Sequence, residues 1–285
     1  PTTGKSDSVC QTSAGLIFEG MAGTGQLRAD KTFPSLEPTA MVALDAGRLL
    51  MESGASTRNV EKVMGMVARG LGAERVHLRA GYASLSITIG IGSSGITRMR
   101  NVGMLGVNQQ LALRVWELAR HVARGQFTTD QTRAELIRVA RETPRHPRWV
   151  TAVAVGLACA AFGRLLAVDW LGAGAVLGAS MIAQYLRSRL LSRGVNAYIC
   201  TMLISFLGSV LAGFGARWAG SETLAAAMIA SILLLVPGVP AVNAQNDVLE
   251  GRPTLGSARV VTVIMTLVFI AAGLWCARVV VRPYQ

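Results

Sequence analysis

The sequence predicts an α-helical membrane protein with about five transmembrane helices, preceded by a small α+β soluble domain. Three observations carry this. Apolar residues fill 51% of the 285 positions and the mean hydropathy is +0.43, which leaves too little polar surface to cover a water-soluble globule. Charged residues crowd into the part before Trp149, while long stretches after it carry none. Four runs in that second part are apolar over about 17 to 20 residues, enough to cross a hydrocarbon core at about 1.5 Å per residue.

Residues 1–36 mix Gly, Ser, Thr and isolated charges without sustained periodicity, the composition of a mobile tail. The apolar patch at 14–18 is too short for the core of a secretory signal. Residues 37–147 read as the α+β domain. From Pro38 onward Met41, Leu44, Leu49 and Leu50 recur at helical spacing until Gly54, a common stop. A second helix follows, with Val60, Met64, Val67 and Leu71 inward and Arg58, Glu61 and Lys62 outward. The period then drops to two. Leu85, Ile87, Ile89 and Ile91 alternate with Ser84, Ser86 and Thr88, and Gly90, Gly92 and Gly95 mark a turn into a strand at 96–100. With 76–80 this makes a small sheet. Helical spacing resumes through Leu111, Val115, Trp116, Leu118 and Val122, and Thr128 with Gln131 three residues on predicts a capping box opening a further helix. About 110 residues suffice for one core.

Residues 148–285 form the membrane domain, with spans expected near 149–168, 170–186, 195–214, 223–240 and 259–278. Arg141, Arg145, Arg148, Arg187, Arg189, Arg193, Arg252 and Arg259 fall on one side of these spans, and Arg164, Arg217, Arg278 and Arg282 on the other. Since cytoplasmic loops are enriched in arginine and lysine, the α+β domain is expected on the cytoplasmic side of a multi-pass membrane protein. The formal charge of +12 and pI near 10.7 follow from those flanking arginines, so no nucleic-acid partner is inferred. Cys10, Cys159, Cys200 and Cys276 lack metal-ligand spacing, and neither a metal nor a cofactor is expected.

The stretch 233–251, LLLVPGVPAVNAQNDVLEG, carries the most chemistry. Pro237, Gly238 and Pro240 interrupt a span, and such breaks survive where the freed backbone is buried in protein or lines a wet cavity. Asn243, Asp247 and Glu250 recur at i, i+4 and i+7, opposite Val242, Val248 and Leu249. That pattern fits a solvated surface helix as well as a cavity lining. Within or beside the spans stand Ser180, Gln184, Tyr185, Asn196, Tyr198, Thr201 and Ser205, of which Tyr198, Thr201 and Ser205 share a face. Interhelical hydrogen bonds compete with ligand contact as their role. His77, His121 and His146 are far apart with no nucleophile or ligand partner, and no phosphate-cradling loop is present. A membrane-anchored enzyme and a membrane scaffold or sensor stay open as alternatives to a transporter.

The segment LLMESGASTRNVEKVM (49–64), PRW at 147–149, Tyr185 with Arg187, and LLLVPGVP followed by Asn243, Asp247, Gly251, Gly256 and Arg259 together resemble the bacterial threonine/serine exporter family. The likeness is strongest to the larger subunit of its split, two-subunit members. It implies a secondary transporter exporting small polar metabolites, threonine and serine in the family's name and dicarboxylates such as succinate in the split relatives, with coupling to the proton gradient. Single-chain members continue into a second membrane region, whereas this sequence ends after five spans. The resemblance therefore implies a second small multi-span subunit, a homo-oligomer, or both. On this reading Asn243, Asp247, Pro237, Gly238, Asn196, Tyr198, Thr201 and Tyr185 bind substrate, Asp247 and Glu250 couple protons, and Arg259 and Arg187 are charge partners.

Overall fold

The computed structural model describes residues 33–91, 94–103, 105–143 and 146–281. The tail expected over 1–36 falls outside these up to residue 32, as do Cys10, Arg145, Arg282 and Gly92 of the glycine turn. Helix α1 (Phe33–Glu52) opens before Pro38, which lies inside it. It is the central element of the α+β unit. Leu36, Ala40, Val42, Ala43, Leu44, Ala46 and Leu50 bury it nearly all round, as expected for a helix enclosed by its neighbours. These are α2 (Thr57–Gly70), the antiparallel sheet of β1 (Arg75–Ala80), β2 (Ser84–Ile91) and β3 (Ser94–Asn101), and the helices α3 (Gln109–Ala123) and α4 (Thr129–Glu142).

The expected alternation on β2 holds: Leu85, Ile87 and Ile89 are fully buried, and the register pairs Ile89 with Val76 and with Ile96. From the same face of β3, Arg98 and Arg100 reach Glu37 and Asp45 on α1 at 2.8 and 3.0 Å. The capping box at Thr128 and Gln131 is formed.

Six further helices follow: α5 (Arg148–Leu165), α6 (Trp170–Ser192), α7 (Ala197–Trp218), α8 (Leu224–Ser231) with a 3₁₀ turn at Leu233–Leu235, α9 (Gly238–Leu249) and α10 (Pro253–Val281). Among the described residues, α5, α7 and α10 are long and apolar enough to cross a membrane by themselves, and a fourth crossing results if α8 with its 3₁₀ turn and α9 act as one broken span, bent by 62°. Along the axis of the first segment the bent pair reaches about 26 Å, close to a hydrocarbon core of roughly 30 Å. Helix α6, expected as the second span, has the length, but Gln184, Tyr185 and Arg187 reduce its apolarity. Trp149, Trp170, Trp218 and Trp275 stand exposed at or near helix ends, the placement of interfacial anchors.

Besides apolar clusters such as Ile204, Ile232, Leu235 and Ile270, these helices pack through small residues and serine-to-carbonyl bonds. Ser205 Oγ donates to Ile270 O at 2.7 Å and Ser180 Oγ to Ser231 O at 3.1 Å. Both serines thus serve as interhelical bonds. Where α7 crosses α10, a side chain at Gly273 would overlap the Met202 carbonyl oxygen and the Ser205 Cβ.

Asp169 ties two loops together on the far side from the α+β unit's chain entry. It caps α6 by accepting from Gly172 N at 2.7 Å, and it also accepts from Ser221 Oγ at 2.7 Å and Glu222 N at 3.1 Å. The Ser221 hydroxyl foremost holds its carboxyl below the usual carboxylate range; desolvation opposes it, and the Gly172 and Glu222 amides and the Thr223 hydroxyl add to the lowering.

Two predictions follow from this packing. Gly273→Ala is expected to cost about 1–3 kcal/mol because backbone, not a flexible side chain, must yield, whereas Gly174→Ala, which meets open space within α6, should not lower the thermal unfolding midpoint in detergent. For Asp169 the folded pKa is lowered, so its contribution is present above the unfolded value and disappears as pH falls through the folded one. The gap in unfolding midpoint between the parent protein and Asp169→Asn should therefore be widest near neutral pH and close below about pH 4.

Candidate functional site

The interruption between α8 and α9 is built by two prolines. In an unbroken helix residue 237 would donate to Leu233 O and residue 240 to Val236 O, and neither proline can. Val236 N bonds Leu233 O at 3.2 Å instead, and Gly238 N bonds Val236 O at 2.9 Å. Pro237 between them, at φ −79 and ψ 62, forms an inverse γ-turn. Gly238 N would otherwise have served Leu234 O, so the turn is satisfied at that carbonyl's expense.

This break opens on a cavity of about 790 Å³. One wall is the break itself, Leu234 to Pro240, with Asn243. Tyr198 and Thr201 from α7, Arg187 from α6, and Arg259, Thr262 and Thr266 from α10 add polar groups. The α+β unit supplies the opposite wall: Met51, Gly54, Tyr82, Leu105, Gly106 and Val107. That wall is made rigid locally. Gly106 N and Asn108 N bond Glu52 O and Ser53 O at 2.8 and 3.1 Å, pinning the loop to the end of α1. Gly54 lies at φ +83, and a Cβ there would meet Gly106 O at 2.7 Å, so both its backbone angle and its neighbour require glycine.

Behind the cavity wall sits a buried ion pair. Arg259 Nη1 lies 2.7 Å from Asp247 Oδ2, with side-chain exposures of 5% and 2%. The approach is off the line of a hydrogen bond: Asp247 Oδ2, Arg259 Nη1 and Arg259 Nε have no hydrogen-bond partner among the described residues. Arg259 also lines the cavity, and a guanidinium is suited to pairing with a carboxylate.

Of the residues expected at the site, Pro237, Gly238, Asn243, Tyr198, Thr201, Arg187 and Arg259 line the one cavity, and Asp247 backs it through Arg259. Asn243 Nδ2 already donates to Gly54 O at 3.1 Å, so part of its hydrogen bonding is spent on joining the two units. Three lie elsewhere. The Asn196 side chain caps α7 by accepting from Tyr198 N at 2.9 Å. Tyr185 is exposed, its hydroxyl accepting from Arg189 Nη2 at 2.7 Å. Glu250 belongs to an ion-pair cluster, 3.5 Å from Arg252 and 4.0 Å from Arg58, with Arg252 also 2.6 Å from Glu61. Burial pushes the Glu61 carboxyl above its ordinary range, with Arg252 pulling it back.

The face of α9 that carries Asn243 and Asp247 turns inward, and Val242, Val248 and Leu249 are exposed. This is the reverse of a solvated surface helix, whose apolar face would be covered. Unanticipated in the wall were Tyr82, whose hydroxyl is 2.9 Å from Thr262 Oγ1, and the threonines of α10. Arg259, Thr262 and Thr266 stand at i, i+3 and i+7, a stripe that helical spacing alone could have revealed. Among the described residues no three of His, Cys, Asp and Glu gather as metal ligands.

The profile of the threonine/serine exporter family matches residues 41–281, which takes in the whole cavity and its ion pair. The chain belongs to the threonine/serine exporter family. Two relatives are named "Probable succinate transporter subunit YjjP". The one from Klebsiella aerogenes is 28% identical over 237 residues, covering 82% of this chain and 89% of its own length. The one from Escherichia coli K12 is 29% identical over 219 residues, covering 76% and 85%. No solved structure matches the chain. Membership makes this exporter-family chain a membrane transporter rather than an enzyme, and the membrane-anchored enzyme weighed from sequence is set aside.

The ion pair can be tested by stability alone. Removing one partner of a buried pair leaves an uncompensated charge at a cost of about 3–5 kcal/mol, while removing both is far milder. Asp247→Leu and Arg259→Met are each expected to lower the unfolding midpoint in detergent sharply, and the double variant to recover most of the loss.

Proposed function

We propose that this chain is the larger subunit of a secondary exporter of the bacterial inner membrane, moving small dicarboxylates such as succinate through the cavity at the broken span. The α+β unit lies in the cytoplasm, and α5, α6, α7, the broken pair α8–α9 and α10 cross the bilayer five times. The arginine asymmetry supports that orientation, and the outward apolar face of α9 supports lipid rather than water beyond it. A second, smaller multi-span subunit completes the pathway. Both relatives carrying the word subunit in their names favour that assembly.

One observation carries the choice of substrate. Arg187 and Arg259 line the cavity, and no acidic side chain of the described residues does. A dianion finds two cations there. The ammonium of a hydroxy amino acid would need a free carboxylate, and Asp247 is committed to Arg259. Arg259 takes one carboxylate bidentately and Arg187 draws the other, while Asn243, Tyr198, Thr201 and the loose backbone at Pro237 and Gly238 supply polar contacts. Asn196 supports the site by capping the helix that carries Tyr198, and Tyr185 orients Arg189 beside it. Asp247 couples protons: on protonation it releases Arg259 to the substrate and on deprotonation it takes Arg259 back. Glu250 passes the proton toward the cytoplasm.

Membrane vesicles from cells making this chain together with its separately encoded partner, loaded with labelled succinate or serine and given an imposed proton gradient, test the assignment. Succinate should move and serine should not. Arg259→Lys, which keeps the charge but loses the planar fork, should weaken succinate binding by about 2 kcal/mol, roughly thirtyfold. Full proton-driven efflux by Asp247→Asn would remove the carboxylate from the mechanism, and serine transport without succinate transport would reverse the substrate choice.

A further inference from the structure

The two units that enclose the cavity do not share a hydrophobic core. One apolar cluster runs from Leu36 to Val139 within the α+β unit, and three others lie wholly among residues from Cys159 to Val281. Bodies with separate cores and a polar contact zone are free to move relative to each other unless something latches them. The latches are visible. Asn243 Nδ2 bonds Gly54 O, Tyr82 Oη bonds Thr262 Oγ1, and Arg252 bonds Glu61 at 2.6 Å. Arg58 approaches Glu250 at 4.0 Å. All four contacts land between Asn243 and Thr262, on α9, α10 and the loop between them.

That strip is also the one that holds the ion pair. Arg252 N donates to Asp247 O at 2.8 Å, so the residue that grips Glu61 is bonded to the backbone of the residue that grips Arg259. A shift of the α+β unit cannot pull Arg252 without disturbing the site behind it. Around the cavity Leu105 and Val107 on one wall, and Val236 and Val239 on the other, keep more than a third of their surface exposed.

We propose that the α+β unit is the movable cytoplasmic wall of the cavity, a gate latched to α9 and α10 by Arg252–Glu61, Tyr82–Thr262 and Asn243–Gly54. Gate opening separates the unit from α9 and gives the substrate its path from the cytoplasm; latching closes it and sets the Asp247–Arg259 pair. The role rests on the transport reading given above, but the structure of the gate does not.

A cleavable bifunctional thiol reagent joining Glu61→Cys to Arg252→Cys in the full chain, with its partner subunit present, tests this. The linked protein should lose succinate transport by about tenfold or more and regain it when the linker is reduced, because a gate held in one state cannot cycle. Each variant carrying only one of the two introduced cysteines should transport at the same rate before and after the same treatment. A second readout needs no transport. A cysteine placed in the cavity wall by Thr266→Cys should react with a water-soluble thiol reagent about tenfold more slowly once the gate is linked, over the background of Cys10, Cys159, Cys200 and Cys276 measured in the parent protein. Transport at the unlinked rate after verified linkage, or labelling that linkage leaves unchanged, overturns the gate. If no tested metabolite moves in any variant, the transport assignment fails while the labelling rate still decides whether the wall moves.

Discussion

A helix interrupted in apolar surroundings leaves backbone groups that hydrocarbon cannot satisfy, and the arrangement of this chain follows from where those groups are met. Pro237 and Pro240 withhold two donors, the inverse γ-turn repairs one carbonyl, and the remainder faces a cavity instead of lipid. Covering that cavity requires a wall from outside the helical bundle. The α+β unit provides it with the end of α1, the loop pinned to it and the β1–β2 turn, each held by backbone bonds within its own core. Beyond the break, the last turn of α9 brings Asp247 against Arg259.

A buried pair of this kind is weak evidence of stability. Taking both charges out of water is costly, and their contact is not aligned as a hydrogen bond. A hydrophobic pair of similar volume would hold α9 to α10 at least as well. What the charges fix is the position of the Arg259 guanidinium, which lines the cavity.

Much of this was legible in the sequence, and the limits have physical causes. The alternation of Leu85, Ile87 and Ile89 and the capping box at Thr128 are local patterns, and they folded as read. The break at 237–240 was equally plain, since proline removes donors wherever it sits. Helical spacing put Asn243 and Asp247 on one face, yet spacing says which residues share a face and not which face points inward. For α9 the answer comes from the α+β unit and α10, and the Asn243–Gly54 contact joins positions 189 residues apart. Asn196 and Tyr185 were drawn in as polar residues beside a span. Helix capping and a neighbouring arginine claimed them, which are the ordinary fates of such groups at helix ends.

The separation of the hydrophobic cores also bears on how the protein is made. The α+β unit is translated first, and all of its buried residues precede Arg148. It can therefore complete its interior while the apolar helices are still inside the ribosome or in transit to the insertion machinery. Nothing in that interior waits for α5 to α10, and the late-emerging segment 243–262 needs only to dock a few polar groups onto a finished surface. Separate cores leave each half able to pack without the other, so the greasy segments need not compete for the same interior during synthesis.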